Sequence, residues 1–124
     1  MKLFLIAGEP SGDALGAALM AALKTLAPDV TFLGVGGPLM EAEGLESLFP
    51  MEELAVMGLL EVLPKYPQLK RRIREAAEAA IAAAPDALIT IDSPDFCLRV
   101  ARMVRDVRPA QKTIHYVAPT VWAW

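Results

Sequence analysis

Apolar residues along the chain form two patterns, short unbroken runs and longer runs with helical spacing. The first run, residues 3–7, is apolar throughout and is followed by glycine, which is typical of a strand buried on both faces. Residues 14–26 instead carry leucines at the spacing of one helix face. The chain therefore begins with a predicted strand, a turn and a helix.

The same two patterns predict further strands and helices in alternation. Strands are expected at residues 29–33, 45–49, 87–91 and 113–117, and helices at 38–42, 66–84 and 96–107. Strands that alternate with helices indicate an α/β fold with a parallel sheet and right-handed crossovers. The predicted strand order is 3-2-1-4-5, which reverses between the first and fourth strands.

Three polar segments are predicted to meet beside that reversal, because parallel strands share one carboxyl edge. They are residues 8–13 after the first strand, 92–95 after the fourth and 115–124 after the fifth. Open sheets of this kind bind ligands in the crevice at this edge. We therefore expect the functional residues at this rim.

The turn Gly8-Glu9-Pro10-Ser11-Gly12-Asp13 differs from the two common phosphate loops. Its glycines do not follow the dinucleotide pattern, and Asp13 stands where a P-loop has lysine. Glu9 and Asp13 would repel a phosphate, so an uncharged or hydroxyl-bearing ligand is expected. Ser11 or Asp13 is the predicted cap of the following helix. A plain strand-to-helix connection remains the alternative.

The turn Asp92-Ser93-Pro94-Asp95 places two carboxylates at the end of the fourth predicted strand. A positioned carboxylate can act as a general base for a hydroxyl. Asp95 is expected to cap the next helix. A functional role is favoured for Asp92, because it lies at the strand's end where no cap is yet needed.

His115 is the single histidine and lies within a predicted apolar strand, so a histidine hydrogen-bonded in the core is the default expectation. An arrangement with Ser11 or Ser93 is conceivable but lacks the nucleophile-elbow pattern. Cys97 is the single cysteine, which excludes a disulfide framework and a cysteine-based zinc site within this sequence.

Residues 59–74 combine an apolar stripe with an excess of basic side chains. In one interpretation the stripe packs on the sheet and the basic residues are solvated. In the other, an interfacial segment dips into lipid while lysine and arginine meet anionic head groups. The residues concerned are Leu59, Leu60, Val62, Leu63, Tyr66, Lys65, Lys70, Arg71 and Arg72.

Composition narrows the classes of partner. The 124 residues suit one domain or part of one, and the net charge of −3 gives no general attraction to nucleic acid. No apolar run reaches transmembrane length, and no signal peptide is recognisable. The two tryptophans in Val121-Trp122-Ala123-Trp124 would be exposed to solvent at a free terminus. We therefore expect this sequence to be the first half of a longer protein.

Several stretches together resemble the amino-terminal half of the lipid-A-disaccharide synthase family. They occur in the family's order and span nearly the whole chain, which makes the combination specific. The matching stretches are Ala7-Gly8-Glu9-Pro10-Ser11-Gly12-Asp13, Gly34-Val35-Gly36-Gly37-Pro38, Met51-Glu52-Glu53-Leu54-Ala55-Val56-Met57-Gly58, Ile91-Asp92-Ser93-Pro94-Asp95-Phe96 and Ile114-His115-Tyr116-Val117 through Trp124.

The resemblance implies a Rossmann-like three-layer α/β/α domain of an inverting glycosyltransferase with the GT-B architecture. Family members join a UDP-diacylglucosamine donor to diacylglucosamine 1-phosphate (lipid X), giving a β-1,6-linked disaccharide phosphate and UDP in lipid A biosynthesis. They need no metal or cofactor in the usual mechanism. They act at the cytoplasmic face of the inner membrane, as peripheral proteins.

The resemblance also implies roles for individual residues. Asp92 matches the proposed base for the acceptor 6-hydroxyl, and Glu9 matches a second acid needed for activity. Implied substrate-binding residues are Gly8, Ser11, Gly12, Asp13, Met57, Ser93, Asp95 and His115. The implied membrane-facing surface comprises Leu59, Leu60, Val62, Leu63, Tyr66, Lys70 and Arg71.

The departure from the family is length, because the second, donor-binding domain is not in this sequence. Residues 1–124 are therefore expected to form the acceptor-side domain and to be inactive, or nearly so, alone. The alternatives are a non-catalytic α/β module that binds a small molecule and a membrane-docking protein on the same fold.

Overall fold

The computed structural model describes residues 1–54 and 66–117, with Tyr66 described by its backbone only. Strands and helices alternate along this part of the chain. Their bounds are β1 Lys2–Ala7, α1 Pro10–Leu26, β2 Thr31–Val35, α2 Pro38–Ala42, α3 Tyr66–Ala83, β3 Ala87–Ile91, α4 Pro94–Val107 and β4 Thr113–Tyr116. No helix within these residues combines the length and apolar character needed to cross a membrane.

The strands form a four-stranded parallel sheet in the order β2-β1-β3-β4. β1 is central, since Leu5 lies opposite Gly34 of β2 and opposite Ile89 of β3. This confirms the predicted α/β class. It also confirms the predicted neighbours of the first, second, fourth and fifth strands, and hence the reversal between β1 and β3.

The prediction of a third strand at residues 45–49 is wrong. The segment lies beside β2, where it was expected, but it makes an isolated parallel bridge between Gly34 and Ser47. The Leu48 amide donates to the Gly34 carbonyl at 2.9 Å. The Ser47 hydroxyl accepts from the Gly36 amide at 3.1 Å and donates to the Phe49 carbonyl at 2.7 Å. These side-chain bonds replace the ladder that a strand would need.

Helices cover both faces of the sheet, and the strand residues alternate between the two sides. Phe4, Ile6 and Leu88 belong to a buried cluster with α3 and α4. Leu3, Leu5, Ile89 and Ile91 belong to a second cluster that includes residues of α1 and α2. The three layers leave the carboxyl ends of β1 and β3 as neighbours at one edge, which positions the candidate site.

Candidate active site

Two strand-to-helix connections lie side by side at the carboxyl edge of the sheet. Residues 8–9 join β1 to α1, and residues 92–93 join β3 to α4. A Cβ atom added to Gly8 would lie 2.7 Å from Oγ and 3.2 Å from Cβ of Ser93. The two connections are therefore in direct contact, as the predicted topology required.

The first connection leads into α1 with an extended backbone. Glu9 precedes the helix with φ −143° and makes no side-chain capping bond, while its carbonyl accepts from the Asp13 amide at 2.9 Å. The prediction that Ser11 or Asp13 caps α1 is wrong, because the helix begins at Pro10 and both residues lie inside its first turn. The side chains of Glu9 and Ser11 are exposed at the rim.

Asp13 instead caps the neighbouring helix α2. Its side chain is buried, and its carboxylate accepts from the amides of Gly37 at 2.9 Å, Leu39 at 3.0 Å and Met40 at 2.9 Å. The N-cap of α2 is Gly37, which has no side chain to do this. A Cβ on Gly37 would lie 2.6 Å from Asp13 Oδ2. Asp13 therefore joins α1 to α2.

The second connection has an unusual backbone. Asp92 and Ser93 adopt φ values of 49° and 40°. These values lie in the left-handed region, which residues other than glycine rarely adopt. The Asp92 amide donates to the Tyr116 carbonyl at 3.1 Å, and the Ser93 carbonyl accepts from the Cys97 amide at 3.0 Å. The first bond holds the turn to β4 and the second holds it to α4. The Asp92 side chain is half-buried.

The two aspartates of this turn have different surroundings. Asp95 was expected to cap α4, and that prediction is wrong, because the N-cap of α4 is Ser93. The Ser93 side chain makes no capping bond. Asp95 lies in the first helical turn, where its side chain is 78% exposed and accepts from Arg99 Nε at 3.2 Å. Asp92 is thus the more enclosed carboxylate of the pair.

The thiol of Cys97 lies behind the turn and is fully buried. Burial raises the pKa of this thiol to about 12, and the charge of Asp92 adds a smaller increase, while a hydrogen bond from the Ile91 backbone opposes both. Cys97 itself is an unreactive core residue.

His115 is exposed, so the expectation of a core histidine is wrong. β4 is the outer strand of the described sheet, and Ile114 and Tyr116 are exposed on it as well. His115 Nδ1 lies 2.7 Å from the hydroxyl of Thr90, its buried partner in the neighbouring strand. Thr90 orients the imidazole. Sequence analysis missed Thr90 because it is one polar residue in an apolar strand.

The basic side chains in the first part of α3 differ in exposure. Lys70 and Arg71 are exposed. Arg72, which one of the two interpretations placed at lipid head groups, instead donates to both carboxylate oxygens of Glu53 at 2.7 and 3.0 Å and to Glu75 at 2.7 Å. It also lies 4.6 Å above the ring of Phe49. The bonds to Glu53 and then Glu75 raise the pKa of Arg72.

The remaining predicted site residues fall in two groups. Gly8 and Gly12 are buried, and Gly12 packs on the end of β3, where an added Cβ would lie 3.4 Å from the Ile91 carbonyl oxygen. Met57 and the predicted membrane-facing residues before α3 lie outside the described residues, as does the side chain of Tyr66. Those before α3 are Leu59, Leu60, Val62 and Leu63.

A cleft of about 340 Å³ lies at the carboxyl end of β2. It combines the carboxylates of Glu41 and Glu52 with an apolar wall. In the sequence its glycines were noted only as part of a stretch shared with the family. None of the predicted site residues that the structure describes lines it. The lining residues are Gly36, Gly37, Glu41, Ser47, Leu48, Phe49, Pro50, Met51 and Glu52.

Titratable side chains at the rim do not gather as metal sites do. Across residues 1–54 and 66–117, no group of three or more His, Cys, Asp or Glu side chains is arranged to hold a metal ion. What the rim offers is a half-buried carboxylate at Asp92 on a fixed turn, beside the connection that carries the exposed Glu9. Such an arrangement can accept a proton from a hydroxyl group.

Comparison with known proteins agrees with the resemblance seen in the sequence. Residues 3–124 match the family model described as lipid-A-disaccharide synthetase. Proteins named lipid-A-disaccharide synthase are 66% identical in Ruegeria pomeroyi, 54% in Rhodospirillum centenum and 53% in Pseudomonas aeruginosa, each over the whole chain. The chain spans about a third (31–32%) of the length of these relatives. The chain belongs to the lipid-A-disaccharide synthase family.

Proposed function

We propose that residues 1–124 form the acceptor-side domain of a glycosyltransferase that makes the lipid A disaccharide. The complete protein would transfer a diacylglucosamine unit from UDP-diacylglucosamine to diacylglucosamine 1-phosphate and release UDP. A second domain, outside this sequence, would hold the donor. The relatives' names and the matched family model support the reaction class.

The observation that carries the proposal is the contact between Gly8 and Ser93. It joins the connection bearing Glu9 to the turn bearing Asp92 at the carboxyl edge of β1 and β3, where open α/β sheets bind their ligands. Two acids from distant parts of the sequence thereby share one rim.

Asp92 is the proposed general base. As the acceptor 6-hydroxyl attacks the anomeric carbon of the donor, the hydroxyl proton passes to the Asp92 carboxylate and the bond to UDP breaks. Attack from the face opposite UDP inverts the anomeric centre. A positioned base of this kind contributes about 100- to 10,000-fold in rate.

Other rim residues would hold the acceptor in place. The side chains of Ser11, Asp95 and His115 are exposed, and Glu9 supplies a second carboxylate. We propose that the carboxylates of Glu9 and Asp95 accept hydrogen bonds from the sugar hydroxyls. Ser11 and His115 would contact the sugar or the phosphate. The backbone at Gly8 and Gly12 would form the floor beneath the sugar, with Met57 at the acyl-chain side.

We also propose that the protein works at the cytoplasmic face of the inner membrane as a peripheral protein. Its substrates would carry acyl chains, and Lys70 and Arg71 are exposed on the first turns of α3. In this proposal the apolar residues before α3 enter the lipid, while these cations meet anionic head groups.

The proposed reaction is tested with the full-length protein and the 124-residue chain side by side. UDP release and disaccharide formation are measured with both substrates, and omission of the acceptor is the control. We expect disaccharide from the full-length protein and none from the chain alone. A full-length protein that binds the substrates but forms no disaccharide would point to a non-catalytic binding module.

Membrane association is tested by sedimentation with vesicles that contain anionic phospholipid. The full-length variant Lys70→Glu with Arg71→Glu is expected to bind less than the wild type. The matched control is Arg102→Glu with Arg105→Glu, an equal change of charge at exposed positions of α4. Equal binding by both double variants would remove Lys70 and Arg71 from the proposed surface.

A further inference from the structure

Left-handed backbone conformations of residues other than glycine are concentrated at the end of β3. Among the described residues, such conformations occur at Ala84, Asp92 and Ser93. Ala84 precedes β3 at the opposite edge of the sheet, whereas Asp92 and Ser93 are consecutive at the rim. Strained conformations of this kind persist only where the surrounding structure determines them.

The surroundings of Ser93 include a direct contact with the first connection. An added Cβ on Gly8 would meet Ser93 Oγ at 2.7 Å and Ser93 Cβ at 3.2 Å, with Leu54 Cδ1 next at 3.5 Å. Gly8 is therefore the residue that leaves room for the Ser93 side chain. A methyl group there would make Ser93 Oγ turn away, and it would make Ser93 Cβ, which moves only with the backbone, give by a few tenths of an ångström.

The backbone on either side of Ser93 is already held. The Asp92 amide is bonded to the Tyr116 carbonyl at 3.1 Å, and the Ser93 carbonyl receives the Cys97 amide at 3.0 Å. A push on the Ser93 side chain is therefore passed to the short stretch of backbone between these two bonds. That stretch carries the Asp92 carboxylate.

We infer that Ser93 is a positioning residue whose packing against Gly8 fixes the direction of Asp92 towards the edge shared with Glu9. The inference rests on the proposed role of Asp92 as the base. It gives Ser93 a different task from the substrate contact that the family resemblance implied. In this role, the contact between Gly8 and Ser93 links the connection that carries Glu9 to the turn that carries Asp92.

The test uses three variants of the full-length enzyme, Gly8→Ala, Ser93→Gly and the double variant. Gly8→Ala should lower kcat about 100-fold, because the added methyl group meets Ser93 and misplaces the reacting carboxylate of Asp92. Both KM values should stay within about threefold, because the methyl group is directed at Ser93 and Leu54 and leaves the backbone beneath the sugar in place. Ser93→Gly keeps the left-handed backbone but loses the packing against Gly8, so it should lower kcat, by less than about tenfold. The double variant should return to within about threefold of Ser93→Gly, because both close contacts are gone.

The matched control is Ala84→Gly, which also replaces a left-handed residue by glycine but at the opposite edge of the sheet. Its kcat should equal that of the wild type. If Gly8→Ala fails to fold, the same rescue is scored as recovery of a folded, active double variant. The inference is overturned if Gly8→Ala keeps wild-type kcat, or if the double variant is as impaired as Gly8→Ala.

Failure of this inference is distinguishable from failure of the proposed function. An inactive Asp92→Asn enzyme together with a fully active Gly8→Ala enzyme removes the coupling and leaves the base in place. A fully active Asp92→Asn enzyme removes the base, and the role of Ser93 with it.

Discussion

The β1–α1 and β3–α4 connections are built from similar residues but use their acidic side chains differently. Each follows a buried strand and places a proline at the start of the next helix. In the first, the backbone is extended and Asp13, in the helical turn that follows, is buried on three amides. In the second, the backbone is left-handed and Asp92 stays half-buried. Similar local sequence therefore serves the fold in one place and the proposed chemistry in the other.

The energetics of the two connections also differ in sign. Hydrogen bonds to a charged group contribute about 1.5–3 kcal/mol each, so the Asp13 carboxylate stabilises the fold. A left-handed residue other than glycine costs about 1–3 kcal/mol, so Asp92 and Ser93 destabilise it. Substitutions in the two connections should accordingly have opposite effects on the free energy of unfolding.

The largest expected effect on stability is that of Asp13→Ala. Loss of the carboxylate leaves the amides of Gly37, Leu39 and Met40 without their acceptor, and each unsatisfied group costs about 1–3 kcal/mol. We expect the free energy of unfolding of the full-length protein to fall by at least about 3 kcal/mol in urea titrations. Asp13→Asn, which keeps one acceptor oxygen, should lose less. A loss below about 1 kcal/mol for Asp13→Ala would contradict this role.

The next effect concerns the interior behind the second connection. Because burial raises the pKa of Cys97 to about 12, its thiolate should stay scarce as the pH rises from 7 to 10. Alkylation of the Cys97 peptide, followed by mass spectrometry, should be at least about 100-fold slower in native than in urea-unfolded protein. Unfolded protein should instead react faster as the pH approaches 9. Equal native and unfolded rates would show that the turn opens readily.

A smaller effect is expected from relief of backbone strain. Ala84→Gly and Ser93→Gly should each raise the free energy of unfolding by up to about 1 kcal/mol, since glycine avoids the left-handed penalty but loses more chain entropy. Thermal unfolding of the full-length variants measures this. Of these two variants, only Ser93→Gly should also lower kcat. A loss of stability in both variants would mean that neither conformation is strained.

The smallest effect is that of Asp95→Ala. The pair with Arg99 is exposed and spans one helical turn, so its removal should change the free energy of unfolding by no more than about 0.5 kcal/mol. The same urea titration applies. A change above about 1.5 kcal/mol would indicate that Asp95 does cap α4 in solution.

Much of the fold could be predicted because its central strands are unbroken apolar runs. The predicted strand at residues 87–91 and helix at residues 38–42 coincide with β3 and α2. Residues 45–49 are less apolar, since Glu46 and Ser47 interrupt the pattern, and the Ser47 hydroxyl takes over the bonds a strand would use. Such a local alternative is not visible in an apolar pattern.

The site was predictable to the level of the rim and no further. Topology brought the two connections together, whereas the partners of Asp13 lie 24 to 27 residues away and leave no local signal. His115 was assigned to the core from the apolar residues around it, although the predicted strand order already placed its strand at an edge of the sheet. The left-handed turn at Asp92 was missed because neither residue is glycine, the usual sign of that conformation.

The kcat of full-length Asp92→Asn tests most directly whether the two connections have different tasks. The substitution keeps size and removes the basic oxygen. We predict a decrease in kcat of at least about 100-fold with an unchanged melting temperature, while the exposed control Asp106→Asn keeps wild-type kcat. An Asp92→Asn enzyme that turns over within about threefold of the wild type would contradict the account.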